Sequence, residues 1–243
     1  MTDLLAAPRP WIKICGVTRA GDAALAVELG ATAIGVNFWP RSPRCVDLDR
    51  AREIVAAVAG RVPIAGVFVD EDPARIEAIV AATGIDLIQL HGDEPVEIVA
   101  RFAPRTIRAA RLDPAALEHG GSANDEHALH ARSLYPCLEA FLPEPPRRSP
   151  FALPLAFLLD GPTGARRGGT GEGWDWSLAR PVVARCRAPV LIAGGIRPGN
   201  ARRALETSGA AGVDVASGVE SSPGVKDAEK MRGMMEELRR AAT

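Results

Sequence analysis

Trp11-Ile12-Lys13-Ile14-Cys15-Gly16-Val17-Thr18 reads as a short apolar strand that stops on a cysteine and a glycine just before a helical stretch. The same unit recurs along the chain. A β-branched apolar run gives way to a longer pattern rich in Ala, Leu, Glu and Arg, the alternation expected of βαβ units around a parallel sheet. The spacing predicts strands at Trp11–Cys15, Ala33–Phe38, Ile64–Val69, Leu87–His91, Thr106–Ala110, Ala156–Asp160, Val190–Ala193 and Gly212–Ala216. Helical patterns follow, including Ala20–Leu29, Asp49–Ala59, Pro73–Ala82, Pro95–Phe102, Ser177–Cys186, Pro198–Ser208 and Lys226–Arg239. Thr18 or Asp22 supplies a start signal for the first helix and Asp72-Pro73 for the third, while Gly30, Gly84 and Gly209 stand just past helix ends.

Eight such units in 243 residues match the size of a closed (β/α)₈ barrel. An open doubly wound sheet of this length usually carries fewer, and the first turn has none of the Gly-x-Gly-x-x-Gly spacing that cradles a dinucleotide. The expectation is an α/β fold in which one TIM-barrel domain spans residues 1–243 around a parallel eight-stranded core. One stretch breaks the rhythm: Arg111 to Pro154 is longer than the other spacers and predicts a lengthened fifth helical and loop region. Its Asp125, Glu126, His127 and His130 read as a polar loop or solvated helix face, and no metal is expected there.

Composition narrows the partners. Lys and Arg total 29 against 30 for Asp and Glu, a net charge of −1 that offers no footprint for nucleic acid or an anionic membrane. No apolar run approaches the roughly 20 residues needed to span a bilayer, and the first residues lack a basic, then apolar, secretory pattern, which predicts a cytoplasmic location. Cys15, Cys45, Cys137 and Cys186 have no Cys-x-x-Cys spacing and read as free thiols. Monomer and homodimer are both compatible with this pattern.

In such barrels chemistry sits at the C-terminal ends of the strands. Here those ends carry Cys15, Asn37 or Phe38, Asp70, Gln89 with His91, Arg111, Asp160, Gly194-Gly195 and Ser217-Gly218. The glycines after the seventh and eighth strands let a ligand approach the backbone, and with a helix N-terminus nearby they make a seat for a phosphate dianion. Arg167-Gly-Gly-Thr-Gly-Glu-Gly173 follows the sixth strand and reaches toward the same group. Asp160, at the tip of an apolar strand, suits a general acid, since apolar surroundings favour the protonated carboxyl. Cys15 suits a base or nucleophile if local dipoles lower its pKa from the usual ~8.5. An acid and a base facing one bound sugar phosphate point to proton transfer by an isomerase, epimerase or lyase.

Seven segments, in order, carry a resemblance: Lys13-Ile-Cys-Gly-Val-Thr-Arg19, Phe38-Trp-Pro-Arg-Ser-Pro-Arg44, Gly66-Val-Phe-Val-Asp70, Gln89-Leu-His-Gly-Asp93, Leu158-Leu-Asp-Gly161, Gly168-Gly-Thr-Gly171 with Asp175-Trp176, and Asp214 through Asp227. Together they resemble the phosphoribosylanthranilate isomerases of tryptophan biosynthesis. That resemblance implies a TIM barrel without cofactor or metal, and the Amadori rearrangement of N-(5-phosphoribosyl)anthranilate to the 1-deoxyribulose 5-phosphate derivative. It implies Cys15 as general base, Asp160 as general acid and Arg44 as the holder of the anthranilate carboxylate. Gln89, His91, Gly169, Gly194, Gly195, Asp214, Ser217 and Gly218 would complete the substrate site, the glycines and Ser217 around the phosphate. Asn37, Cys45, Glu172 and Ala216 depart from the family pattern, and Glu172 would bring negative charge toward an anionic substrate. Another phosphate-binding barrel isomerase or epimerase, or a non-catalytic barrel, are the alternative readings.

Overall fold

Strand periodicity of two decides which side of the sheet each residue faces. In β1 (Trp11–Ile14), Trp11 belongs to the apolar cluster inside the ring, and Ile12 and Ile14 to the one outside it. Lys13 therefore turns inward with Trp11. β2 (Ala33–Asn37) repeats the device with small inner residues, Ala33 and Gly35, and outer Ile34 and Val36. The computed structural model describes residues 10–111, 152–161 and 174–239.

The strands continue as β3 (Ile64–Phe68), β4 (Leu87–Leu90), β5 (Thr106–Arg111), β6 (Ala156–Asp160), β7 (Val190–Ile192) and β8 (Gly212–Val215). All eight pair in parallel and in sequence order, and β1 closes on β8 with Lys13 opposite Asp214. The predicted parallel eight-stranded barrel is thus the observed one, each strand within a residue of its predicted ends. Trp11, Ala33, Ala65, Leu87, Ile107, Ala156, Leu158 and Leu191 fill the ring with alternating large and small side chains, a packed core and not a channel.

Helices α1 (Ala20–Glu28), α2 (Leu48–Val58), α3 (Pro73–Thr83), α4 (Val96–Phe102), α5 (Arg180–Arg185), α6 (Ala201–Ser208) and α7 (Ala228–Arg239) cover the outside. Their apolar stripes join the outward strand residues in a second, larger core. Asp72 caps α3, accepting from the Ala74 and Arg75 N–H groups, with Pro73 at its first position, and Gly84 and Gly209 end α3 and α6 in the left-handed region.

Three expectations need correction. Neither Thr18 nor Asp22 caps α1: Thr18 Oγ1 donates to the Gly224 carbonyl and Asp22 accepts from the Lys226 N–H, so tertiary contacts have claimed both side chains. The pattern from Ser177 begins as a 3₁₀ turn (Trp176–Ala179) before α5, because Pro181 stands at the entry of the α-helix. Lys226 opens no helix; it lies in β10 (Val225–Lys226), paired antiparallel with β9 (Glu220–Ser222) around a Pro223-Gly224 turn in which Gly224 has φ +83°. The predicted fifth helical region, with Cys137 and the Asp125–His130 cluster, and the Gly-rich segment with Gly169 and Glu172 lie outside the described residues.

Candidate active site

Inward parity carries Lys13 and Cys15 to the same side of the first strand, Cys15 one step above Lys13 at the strand end. Lys13 Nζ donates to Asp214 Oδ1 at 2.7 Å across the β1–β8 junction, with the two side chains 1% and 8% exposed. Breaking a buried pair of this kind by removing one partner costs roughly 3–5 kcal/mol. Gly35 leaves the space they need: a Cβ there would stand 2.7 Å from Cys15 Sγ and 2.8 Å from Lys13 Nζ. Burial, then the Asp214 charge, push the Cys15 thiol above its ordinary pKa, against the downward pull of Lys13 and Lys226. The condition set for an easily formed thiolate, a lowered pKa, is therefore not met, and Asp214, expected at the substrate site, also anchors Lys13.

Arg44 reaches the same mouth from the loop after β2. Its Nε and Nη2 donate to Glu220 Oε1 and Oε2 at 2.8 and 2.6 Å, a two-point fork, and Lys226 Nζ donates to Glu220 Oε1 at 2.9 Å. Lys226 also donates to the carbonyls of Cys15 and Ala216, at 2.6 and 3.1 Å. Glu220 therefore joins two cations, one of which is tied to the backbone of Cys15. Burial disfavours the Glu220 carboxylate, but the hydrogen bonds from Arg44 and Lys226 outweigh it and hold the pKa below the usual value. Gly16, at φ +67°, is where the Arg44 stem lies: a Cβ would fall 2.3 Å from Arg44 Cδ.

Asp160 stands across the opening. Its Oδ1 accepts from the Gly161 N–H at 2.8 Å, and its side chain is 30% exposed, open to the cavity and not enclosed by apolar packing as expected. Gln89 Nε2 pairs with His91 Nδ1 at 2.9 Å, leaving His91 Nε2 3.7 Å from Asp160 Oδ2. Gln89 thus fixes the ring of His91 so that its second nitrogen faces the carboxylate. Trp174 Nε1 donates to the Ala193 carbonyl at 2.8 Å and its ring covers Gly161 and Gly194, which joins the ends of β6 and β7.

The two glycine turns are locked together. Gly194 and Gly195 have φ of +84° and +72°, bending the chain sharply as β7 ends. Asn200 staples that turn, accepting from the Arg197 N–H at 2.8 Å and donating to the Gly195 carbonyl at 3.1 Å. The turn after β8 presses against it so closely that a Cβ on Gly218 would sit 1.8 Å from the Ile196 oxygen.

These elements enclose one cavity of about 240 Å³. Cys15 and Asp160 border it with Arg44, Gln89 and His91, and so do Gly194, Gly195, Asp214 and Ser217. Gly218 lies behind Ser217 at the contact between the turns. Asp70 and Arg111, also at strand ends, border a neighbouring cavity of about 210 Å³ that meets the first at His91. Among the described residues no three His, Cys, Asp or Glu side chains are grouped to hold a metal, and no helix is long and apolar enough to cross a membrane.

The model of the N-(5′-phosphoribosyl)anthranilate isomerase family matches residues 12–131 and 149–237. The chain belongs to the phosphoribosylanthranilate isomerase family. It is 39% identical over 230 residues to the N-(5′-phosphoribosyl)anthranilate isomerase of Syntrophus aciditrophicus, covering 94% of this chain and 87% of that one. The phosphoribosylanthranilate isomerase crystal structure from Thermotoga maritima superposes with a TM-score of 0.73 at 32% identity, over 95% of this chain and 98% of that one. A second such structure (TM-score 0.71, 30% identity, 95% and 98% covered) is a complex with reduced 1-(o-carboxyphenylamino)-1-deoxyribulose 5-phosphate.

Three charged residues of this phosphoribosylanthranilate isomerase scaffold escaped the sequence reading. Lys13 was visible as a lone cation in an apolar strand, two residues before Cys15 and so on its face. Glu220 and Lys226 flank the Pro223-Gly224 turn, a hairpin signal that would have set them side by side. The departures from the family pattern also find places. Asn37 Oδ1 accepts from the Trp39 N–H at 2.8 Å and folds the loop that carries Arg44, Cys45 is exposed, and Ala216 contributes its carbonyl to Lys226.

Proposed function

We propose that this chain converts N-(5-phospho-β-D-ribosyl)anthranilate into 1-(2-carboxyphenylamino)-1-deoxy-D-ribulose 5-phosphate, with Asp160 as general acid and Cys15 as general base. The observation that carries this reading is that a carboxyl at the end of β6 and a thiol just after β1 border one cavity that the glycine turns after β7 and β8 also line. The phosphate is seated by the turns after β7 and β8, at Gly194, Gly195, Ser217 and Gly218. Gln89 and His91 shape the wall beside the acid, and Gly169 belongs to the expected substrate-binding residues.

The steps balance without an added reductant or oxidant. Protonated Asp160 gives its proton to the furanose oxygen, the C1–O bond breaks, and the nitrogen lone pair forms the C1 iminium. The Cys15 thiolate then removes the C2 proton, the C–H electrons form C1=C2, and the iminium becomes a neutral enolamine. Tautomerisation to the C2 ketone moves one more proton, from the C2 hydroxyl to C1. Each step needs a single well-placed proton carrier.

The reading comprises one domain over residues 1–243, acting in the cytoplasm as a monomer or homodimer on a small phosphorylated molecule, with no cofactor. Purified protein supplied with phosphoribosylanthranilate should consume it, followed by the change in anthranilate-type fluorescence, and should restore growth to a tryptophan auxotroph lacking this isomerase. No turnover and no growth would overturn the assignment.

A further inference from the structure

A base that must leave substrate as a thiol and meet it as a thiolate needs a partner charge, and the surroundings of Cys15 supply more than one cation. Lys226 Nζ is fully committed, donating to the Cys15 carbonyl, the Ala216 carbonyl and Glu220 Oε1. Arg44 presents two donors to Glu220 and lies over Gly16. Lys13 spends one N–H on Asp214, and its Nζ and the Cys15 sulfur lie 2.8 and 2.7 Å from the point a Cβ of residue 35 would occupy. Its ammonium and that sulfur border the same small volume above Gly35, which no other side chain enters because residue 35 has none.

We propose that Lys13 is a positioning residue for the base: anchored by Asp214, its ammonium is the counter-ion of the Cys15 thiolate. The assignment rests on the reading of Cys15 as the general base. Charge accounting favours it. With the thiolate present, Lys13 lies between two anions, Asp214 and the sulfur. Once the C2 proton has moved to sulfur, Lys13 and Asp214 remain as a neutral buried pair, so abstraction relieves an excess of negative charge and never leaves the cation unpaired. Burial works against the Lys13 charge, yet Asp214 and the Cys15 sulfur outweigh it and hold its pKa above the ordinary lysine value. The groups facing the sulfur are then Lys13 from β1, Asp214 from β8, Lys226 from β10 and Arg44 from the loop after β2, with Asp160 and His91 across the cavity.

Lys13 and Asp214 pull the thiol in opposite directions, and this sets the test. Iodoacetamide alkylation of the Cys15-containing peptide, followed by mass spectrometry from pH 6 to 10, reads the thiolate without requiring turnover. Lys13→Met should move the alkylation midpoint to higher pH and slow the reaction at fixed pH by about tenfold or more, one pKa unit being a tenfold change in thiolate. Its kcat should fall with little change in KM. Asp214→Asn should move the midpoint to lower pH. General loosening of the fold would shift both variants the same way, so opposite shifts support the proposal. An unmoved midpoint in Lys13→Met overturns it. If Lys13→Met fails to fold, Asp214→Asn carries the test alone, and an unmoved or raised midpoint there overturns it. Should Cys15→Ala keep full turnover while both shifts appear, the general-base reading fails and the ion-pair assignment stands.

Discussion

Arg44 and Glu220 form a two-point ion pair at the lip of the barrel, Nε on Oε1 at 2.8 Å and Nη2 on Oε2 at 2.6 Å. This arrangement leaves both N–H groups of Nη1 and the second of Nη2, the end of the fork, for the substrate carboxylate that Arg44 is expected to meet. It also fixes the plane and direction of the guanidinium before any ligand arrives, which lowers the ordering cost of binding.

Glu220→Gln should raise KM by about tenfold while kcat changes little, because one charge-assisted hydrogen bond is worth roughly 1.5 kcal/mol. The same variant tests stability against pH. A carboxylate whose pKa is lower folded than unfolded contributes stability above its unfolded value of about 4.3, and loses it as pH falls through the folded value. Wild type should therefore be the more stable at pH 7, and its advantage over Glu220→Gln should shrink below about pH 4 in acid-unfolding curves.

Cys15→Ala and Asp160→Asn should each lower kcat by about 10² to 10⁴ with an unchanged circular dichroism spectrum, the usual worth of a general base or acid. Combining them should cost less than the sum of the two, since both serve one reaction sequence. Near-wild-type turnover in either single variant would remove that residue from its role.

Activity should climb with pH across the neutral and mildly alkaline range. The thiol is raised above its ordinary value by burial and by Asp214, and only the thiolate accepts the C2 proton. Below that pKa, kcat/KM should rise about tenfold per pH unit. A flat profile between pH 7 and 9 would mean that another group sets the base ionisation.

Gly218→Ala should weaken phosphate binding, because the added methyl collides with the Ile196 carbonyl and forces the two turns apart. The expected readout is an increase of about tenfold in the inhibition constant of inorganic phosphate, together with a lowered melting temperature. A substitution at Gly21, where a Cβ meets nothing within 4 Å, should leave that constant unchanged.

The fold was legible because its signal is local. Each strand is a short apolar run that stops at a polar or glycine-bearing loop, and alternation within Trp11–Ile14 already separates an inner from an outer face. Cys15 and Asp160 were legible for the same reason, as reactive side chains at strand tips in a fold whose chemistry gathers there. What escaped is non-local. Asp214 answers Lys13 from 201 residues away, and Glu220 answers Arg44 from 176 away, so neither pairing leaves a trace in nearby spacing. Thr18 and Asp22 carry ordinary capping chemistry, but α1 forgoes it because the β9–β10 hairpin takes both side chains.

The ion pair between Lys13 and Asp214 has a consequence for how the chain matures during synthesis. It bridges β1 to β8, which is made 201 residues later, at the seam where the ring shuts. Until the eighth unit has emerged, the lysine has no counter-charge from the strand that completes the ring, and the neighbouring thiol lacks the setting described above. A polypeptide truncated before Gly212 thus lacks both the closing strand and the partner of its buried lysine, so barrel closure and neutralisation of that lysine are one event.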